Sequence, residues 1–161
     1  MSTDQIKKKI LLRAPRASVW RALSDSAEFG RWFGMKFTSP FTPGIVLQGV
    51  TVPTEVNAEI AELQKPHEGT PVEITIEEME PERLFSFRWR PYVPHNSSAE
   101  PATLIVFALE EASGGVVLTV TESGFEYIPL EHRAKAMAMN EQGWEMVMQL
   151  IAEHLFQVAA Q

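Results

Sequence analysis

The sequence predicts an α+β fold: a curved antiparallel sheet of about six strands wrapped on one long C-terminal helix, with two short helices after the first strand. Three observations predict it. The stretch from Glu131 to about Gln157 keeps a helical period throughout. Upstream, segments of period two follow one another at hairpin-length spacing, which favours an antiparallel sheet. Finally, two short amphipathic helical segments stand directly after the first strand.

The long helix carries more apolar surface than a sheet-covering helix requires. At about 100° per residue, Met137, Trp144, Val147, Met148, Ile151, Leu155 and Val158 form one stripe. Met139, Gly143, Met146 and Leu150 form a second, adjacent stripe, and Lys135, Gln142, Glu145, Gln149 and Glu153 take the remaining side. An arc this wide belongs to a helix covered on two sides, or to one that covers a sheet and also looks into a cavity.

The elements before it follow in order. Ile6, Lys8, Ile10 and Leu12 alternate with Lys7, Lys9 and Arg13, apart from Leu11, giving a strand with one buried face. Lys7-Lys8-Lys9 within it is expected to be a solvated strand edge, where lysines block sheet-to-sheet pairing. Pro15 opens a short helix with Val19, Trp20 and Leu23 inward. Ser24 or Asp25 caps the next, through Phe29, Trp32 and Phe33, and Gly34 ends it. Phe41-Thr42-Pro43-Gly44 is turn chemistry before a strand from Ile45 to Val52. Pro53 to Pro71 is expected to be mostly loop, with a short helix around Glu55 to Leu63. Val72, Ile74 and Ile76 mark the next strand, and Met79 to Arg83 a hairpin loop. Leu84 to Arg90 puts Phe85, Phe87 and Trp89 on one face, with Arg88 and Arg90 opposite. Pro91 to Pro101 is a polar loop. Thr103 to Glu110 is apolar on both faces and so expected to be central. Gly114-Gly115 turns the chain into the alternation of Val116, Leu118 and Val120, which Ser123-Gly124 breaks.

The 161 residues suit one domain spanning 1–161 with a sizeable core. Composition is that of an ordinary soluble globule, 45% hydrophobic and 22% charged. No apolar run approaches a membrane span, and Ile10-Leu11-Leu12 is too short for a signal-peptide core, so a cytoplasmic location is expected. The net charge of -7 argues against nucleic-acid binding. The absence of cysteine excludes disulfides, thiol catalysis and thiolate metal sites.

Several stretches carry a family resemblance. The order of elements is that of the helix-grip fold of the START-like superfamily. Within it, residues 29–34 (FGRWFG), 40–44 (PFTPG), 79–89 (MEPERLFSFRW), 119–125 (TVTESGF) and 140–144 (NEQGW) resemble the Aha-type SRPBCC proteins, named for the activator of the heat-shock chaperone ATPase. The resemblance covers nearly the whole chain. It implies a chaperone partner or a stress-response role, although the eukaryotic co-chaperone has a further N-terminal domain for which 161 residues leave no room. Relatives labelled as vanillate demethylase oxidoreductases would need an iron-sulfur cluster, which a chain without cysteine cannot hold. No Gly-rich dinucleotide fingerprint is present either. No cofactor is expected.

Candidate functional residues come from the aromatic and helical sets. Trp32, Phe33, Phe37, Phe41, Phe85, Phe87, Trp89, Phe107, Met137, Trp144 and Met148 are candidates to line an apolar ligand cavity, against the plainer reading of core packing. Asn140 and Glu141 flank the Trp144 stripe about one turn before it, where they would reach a cavity mouth. There Glu141 is the one weak candidate for a general acid or base; the plainer reading turns it to solvent and has Asn140 bond a neighbouring loop. Gly143 is expected to permit close helix packing. The histidines, His67, His95, His132 and His154, are too scattered for a metal site, and no serine sits in a nucleophile elbow.

The leading expectation is non-catalytic binding of a small hydrophobic molecule, a lipid or aromatic metabolite, between sheet and long helix. A cofactor-free cyclase- or aromatase-like enzyme using Glu141, or a loop residue such as His95, is the first alternative. A chaperone-associated interaction module is the second. Separately, the Ile6 to Leu12 edge or the helix's second stripe is open to a homodimer.

Overall fold

A computed structural model describes residues 5–89 and 102–159. Strand β1 (Ile6–Leu12) leads into α1 (Arg16–Ser24) and α2 (Ser26–Phe33), then β2 (Met35–Phe37) and β3 (Val46–Thr51). Helix α3 (Ala58–Gln64) and a 3-10 turn (Lys65–His67) precede β4 (Pro71–Glu80), β5 (Leu84–Trp89), β6 (Thr103–Ala112) and β7 (Gly115–Ser123). A second 3-10 turn (Phe125–Tyr127) enters α4 (Leu130–Ala159). The expected α+β architecture is present.

Seven strands form one sheet in the order β1-β7-β6-β5-β4-β3-β2, every pair antiparallel. The helices α1 and α2 carry the chain from the β1 edge to the opposite edge, which is why they stand where they do in sequence. The strand beyond the expected six is β2, whose three residues are too few to show a period. Pairing across the sheet sets Phe87 beside Ile105 and Ile105 beside Glu122, so these three share the inner face.

Local chemistry explains the turns. Asp25 caps α2 by accepting from the Ala27 and Glu28 amides, and Gly34 ends it in the left-handed region at φ 100°. The β4 strand bulges between Ile76 and Glu78, where the buried Ser86 hydroxyl accepts from the Glu78 amide and satisfies a donor the ladder leaves over. The segment 53–71 holds the short helix expected around Glu55 to Leu63, placed at Ala58–Gln64. Asn57 accepts from the Ile60 amide to start α3, and its own amide donates to both oxygens of Glu153 on α4 at 3.0 and 2.9 Å.

The core lies between the inner sheet face and the helices. Phe29 is its hub, with ring centroids 5.1 Å from Trp32, 4.7 Å from Phe33 and 5.5 Å from Phe41. Such aromatic contacts add about 0.5–1.5 kcal/mol each beyond area burial. In the lysine run, Lys7 and Lys9 are exposed as an edge requires, but Lys8 turns to α4 and donates to Glu145 at 3.0 Å and Glu141 at 3.5 Å. The hydrogen bond to Glu145 is the main reason its ammonium pKa stands above the ordinary value. Arg88 pairs with Glu77 on the outer face at 3.5 Å, while Arg90 lies outside the described residues.

Candidate functional site

Glu122 is the most unusual residue of the inner face. It follows Val116, Leu118 and Val120 in the inward phase of β7 and is completely buried. Four side chains from three other elements satisfy it. Trp144 on α4 donates its indole N–H to Oε1 at 2.8 Å, and Trp89 at the end of β5 donates to Oε2 at 2.9 Å. Asn140, one turn before Trp144, donates its amide to both oxygens at 2.8 and 3.0 Å. The buried Thr103 hydroxyl, on β6, donates to Oε2. All four donors are neutral. A carboxylate in an apolar interior is tolerated when its lone pairs are this fully met.

This network holds two indoles against each other at a tilt. Their ring centroids lie 5.5 Å apart with planes inclined by 30°, and Phe33 packs edge-on to both at 6.0 and 6.2 Å. Beside the three rings is a cavity of about 180 Å³. Met139, Gly143, Met146, Val147 and Leu150 of α4 form one wall, and Asn140 and Gln64 supply the polar groups. Thus the second apolar stripe of the helix, with Trp144 and Val147 of the first, lines the cavity. Gln64 is committed elsewhere: its carbonyl accepts from the Thr54 amide at 2.7 Å and its amide donates to the Phe33 carbonyl at 3.3 Å.

The structure divides the sequence candidates in two. Phe33, Trp89, Asn140 and Trp144 meet at the cavity. Trp32, Phe41, Phe85, Phe87, Phe107 and Met148 are buried in the core away from it, with Trp32 donating its indole N–H to the Ala22 carbonyl at 2.8 Å. Phe37 and Met137 are half-buried at the edge of that core. Glu141 turns outward: its side chain is 61% exposed and pairs with Lys8, away from the cavity lining. His95 lies outside the described residues. Gly143 does not serve close packing, since a Cβ added there meets no described atom within 4 Å. Close packing belongs instead to Gly30, where a Cβ would stand 2.2 Å from the Met35 carbonyl oxygen.

Sequence reasoning missed Glu122, Thr103 and Gln64. For Glu122 a signal existed: a carboxylate in register with three inward valines and leucines. For Gln64, at the end of a helix built by tertiary contacts, there was none. A second buried polar pair is also distant in sequence. Glu28 on α2 meets His154 on α4 at 2.8 Å, and Arg21 approaches the same carboxylate at 3.3 Å. Among the described residues no three His, Asp or Glu side chains converge as metal ligands, and no helix is long and apolar enough to cross a membrane.

Comparison with known proteins agrees with the fold. A crystal structure of a protein from Nitrosomonas europaea superposes with a TM-score of 0.71 at 19% identity, covering 100% of both chains. The solution structure of the Aha1 dimer from Colwellia psychrerythraea gives 0.66 at 14% identity, over 94% of this chain and 95% of that one. DynU16, from the dynemicin biosynthetic locus, gives 0.68 at 21% identity over 96% of this chain, which spans about half (48%) of its length. At these identities the likeness is one of fold. No curated protein matches the sequence. The family description "Activator of Hsp90 ATPase homolog 1-like protein" matches residues 13–155, and the chain belongs to that family.

Proposed function

We propose that this protein binds a small hydrophobic molecule in the cavity between α4 and the end of β5, without acting on it chemically. The observation that carries the reading is a half-open cavity of about 180 Å³ walled by Phe33, Trp89, Trp144 and the second stripe of α4. Apolar walls with a few placed polar groups are the general form of a ligand site. The volume lies below the ~300–1,000 Å³ typical of drug-sized sites and near the ~150 Å³ that admits benzene elsewhere. It favours an aromatic metabolite over a lipid chain. Among the described residues no lining side chain is a free acid or base: Glu122 is saturated with donors and Glu141 faces solvent. The family name supports a second reading, a chaperone partner, which predicts that a pull-down from the native cell recovers a chaperone.

Native mass spectrometry of the protein purified from its own host tests the proposal. The expected result is a small excess mass that disappears on denaturation. A clean apo mass would overturn the reading.

A further inference from the structure

Gly143 is an anomaly with a use. A glycine inside a helix costs about 1 kcal/mol relative to alanine, so its presence calls for a local reason. Backbone strain is not that reason, because Gly143 lies in the regular run of α4. Packing is not, because a side chain there would meet no described atom within 4 Å. What Gly143 does is leave space in the cavity wall between Met139 and Met146. A larger residue at this point of the stripe would take up space that is open at the cavity wall.

The polar side of the cavity has a definite sense. A carboxylate accepts, so Asn140 must turn its amino group to Glu122, and that leaves the Asn140 carbonyl oxygen as an acceptor at the lining. Behind the two indoles sits the Glu122 carboxylate, whose four described donors carry no charge. An anionic ligand would meet a like charge across a poorly solvated wall.

We infer that Gly143 sets the size and the Glu122–Asn140 pair the polarity of what the cavity admits: an uncharged aromatic ring bearing a hydrogen-bond donor. This rests on the ligand-binding reading above and names its ligand class.

Isothermal titration of the whole chain with phenol, indole and benzoate tests it. Wild type should bind phenol and indole, and benzoate about tenfold more weakly or worse. Gly143→Ala, which meets no clash, should weaken indole by about tenfold, the value of one methyl-sized misfit, and phenol less. Gly143→Leu should abolish both, with far-UV circular dichroism checking its fold. A size-graded loss is not what mere destabilisation would produce. If wild type binds and both variants bind equally well, the assignment of Gly143 is overturned while the binding reading stands. Benzoate binding as tight as phenol overturns the polarity assignment. Wild type that takes none of the three overturns the ligand class, and the native mass then judges the binding reading separately.

Discussion

Replacing Glu122 with Gln tests whether one carboxylate organises the cavity wall. The substitution keeps shape but turns one acceptor oxygen into a donor. Each oxygen of Glu122 accepts from one indole, Trp144 at Oε1 and Trp89 at Oε2. An indole N–H can only donate, so either amide orientation sets an NH₂ against an indole N–H. Trp144 is 2% exposed and Trp89 is half-buried, so the amide oxygen stays with Trp144 and Trp89 loses its partner. The Thr103 hydroxyl rotates to accept from the new amino group. One unsatisfied donor costs about 1–3 kcal/mol, and the surviving bonds lose their charge assistance. Relief from burying a charge offsets part of this. The net expectation is a loss of about 1–3 kcal/mol, or roughly 2–12 °C in Tm for a domain of this size. Glu122→Leu strands both indoles and the Asn140 amide, while Thr103 keeps the Trp89 carbonyl at 3.5 Å, and should cost more than about 3 kcal/mol. Urea unfolding followed by tryptophan fluorescence gives the energies, and near-ultraviolet circular dichroism reports the Trp89–Trp144 geometry. A Gln variant within about 0.5 kcal/mol of wild type, with unchanged tryptophan bands, would refute the reasoning.

Two further expectations follow from named contacts. Glu28→Ala leaves the buried His154 ring without its partner at 2.8 Å and should cost about 1–3 kcal/mol in urea unfolding, whereas Arg21→Ala, removing a mostly exposed partner, should cost no more than about 1 kcal/mol; equal effects would contradict the burial argument. Gly30→Ala and Gly143→Ala should move Tm in opposite directions: the first forces α2 off β2, where its Cβ would lie 2.2 Å from a carbonyl oxygen, for a loss of about 1–3 kcal/mol, while the second meets open space and gains up to about 1 kcal/mol of helix propensity. Differential scanning calorimetry of the pair decides.

The fold was legible wherever a period could express itself. Long alternations such as Phe85, Phe87 and Trp89, and the helical stripe ending at Leu155, are direct images of one buried face. What escaped lacks a period. Strand β2 has three residues and owes its place to β3, with which Met35 to Phe37 pair. Helix α3 is seven residues long in a proline-rich stretch, and its order comes from distant partners: Ile60 buried, Asn57 tied to Glu153, Gln64 bonded to Thr54 and Phe33. A helix this short is marginal by itself; a short helix is expected around Glu55 to Leu63, but nothing local announces the distant contacts that hold it.

The candidate site poses a harder problem, because a cavity is a place where packing stops. Periodicity says which face of α4 is apolar; it does not say whether the other side of that face is filled. Hence Phe85, Phe87 and Phe107, chemically as suited to a ligand as Phe33 and Trp89, turn out to satisfy one another in the core. Two residues nevertheless marked the boundary in advance by being wrong for their positions. Glu122 is too polar for the inward phase of β7, and Gly143 is too small for the apolar arc of α4. Each violates a local rule at a stability cost, and the structure sets both at the same cavity, one behind its aromatic wall and one within its helical wall. Local rules broken without local compensation are where function is expected to sit. Reading residues against the demands of their own face therefore locates this site better than counting its aromatics.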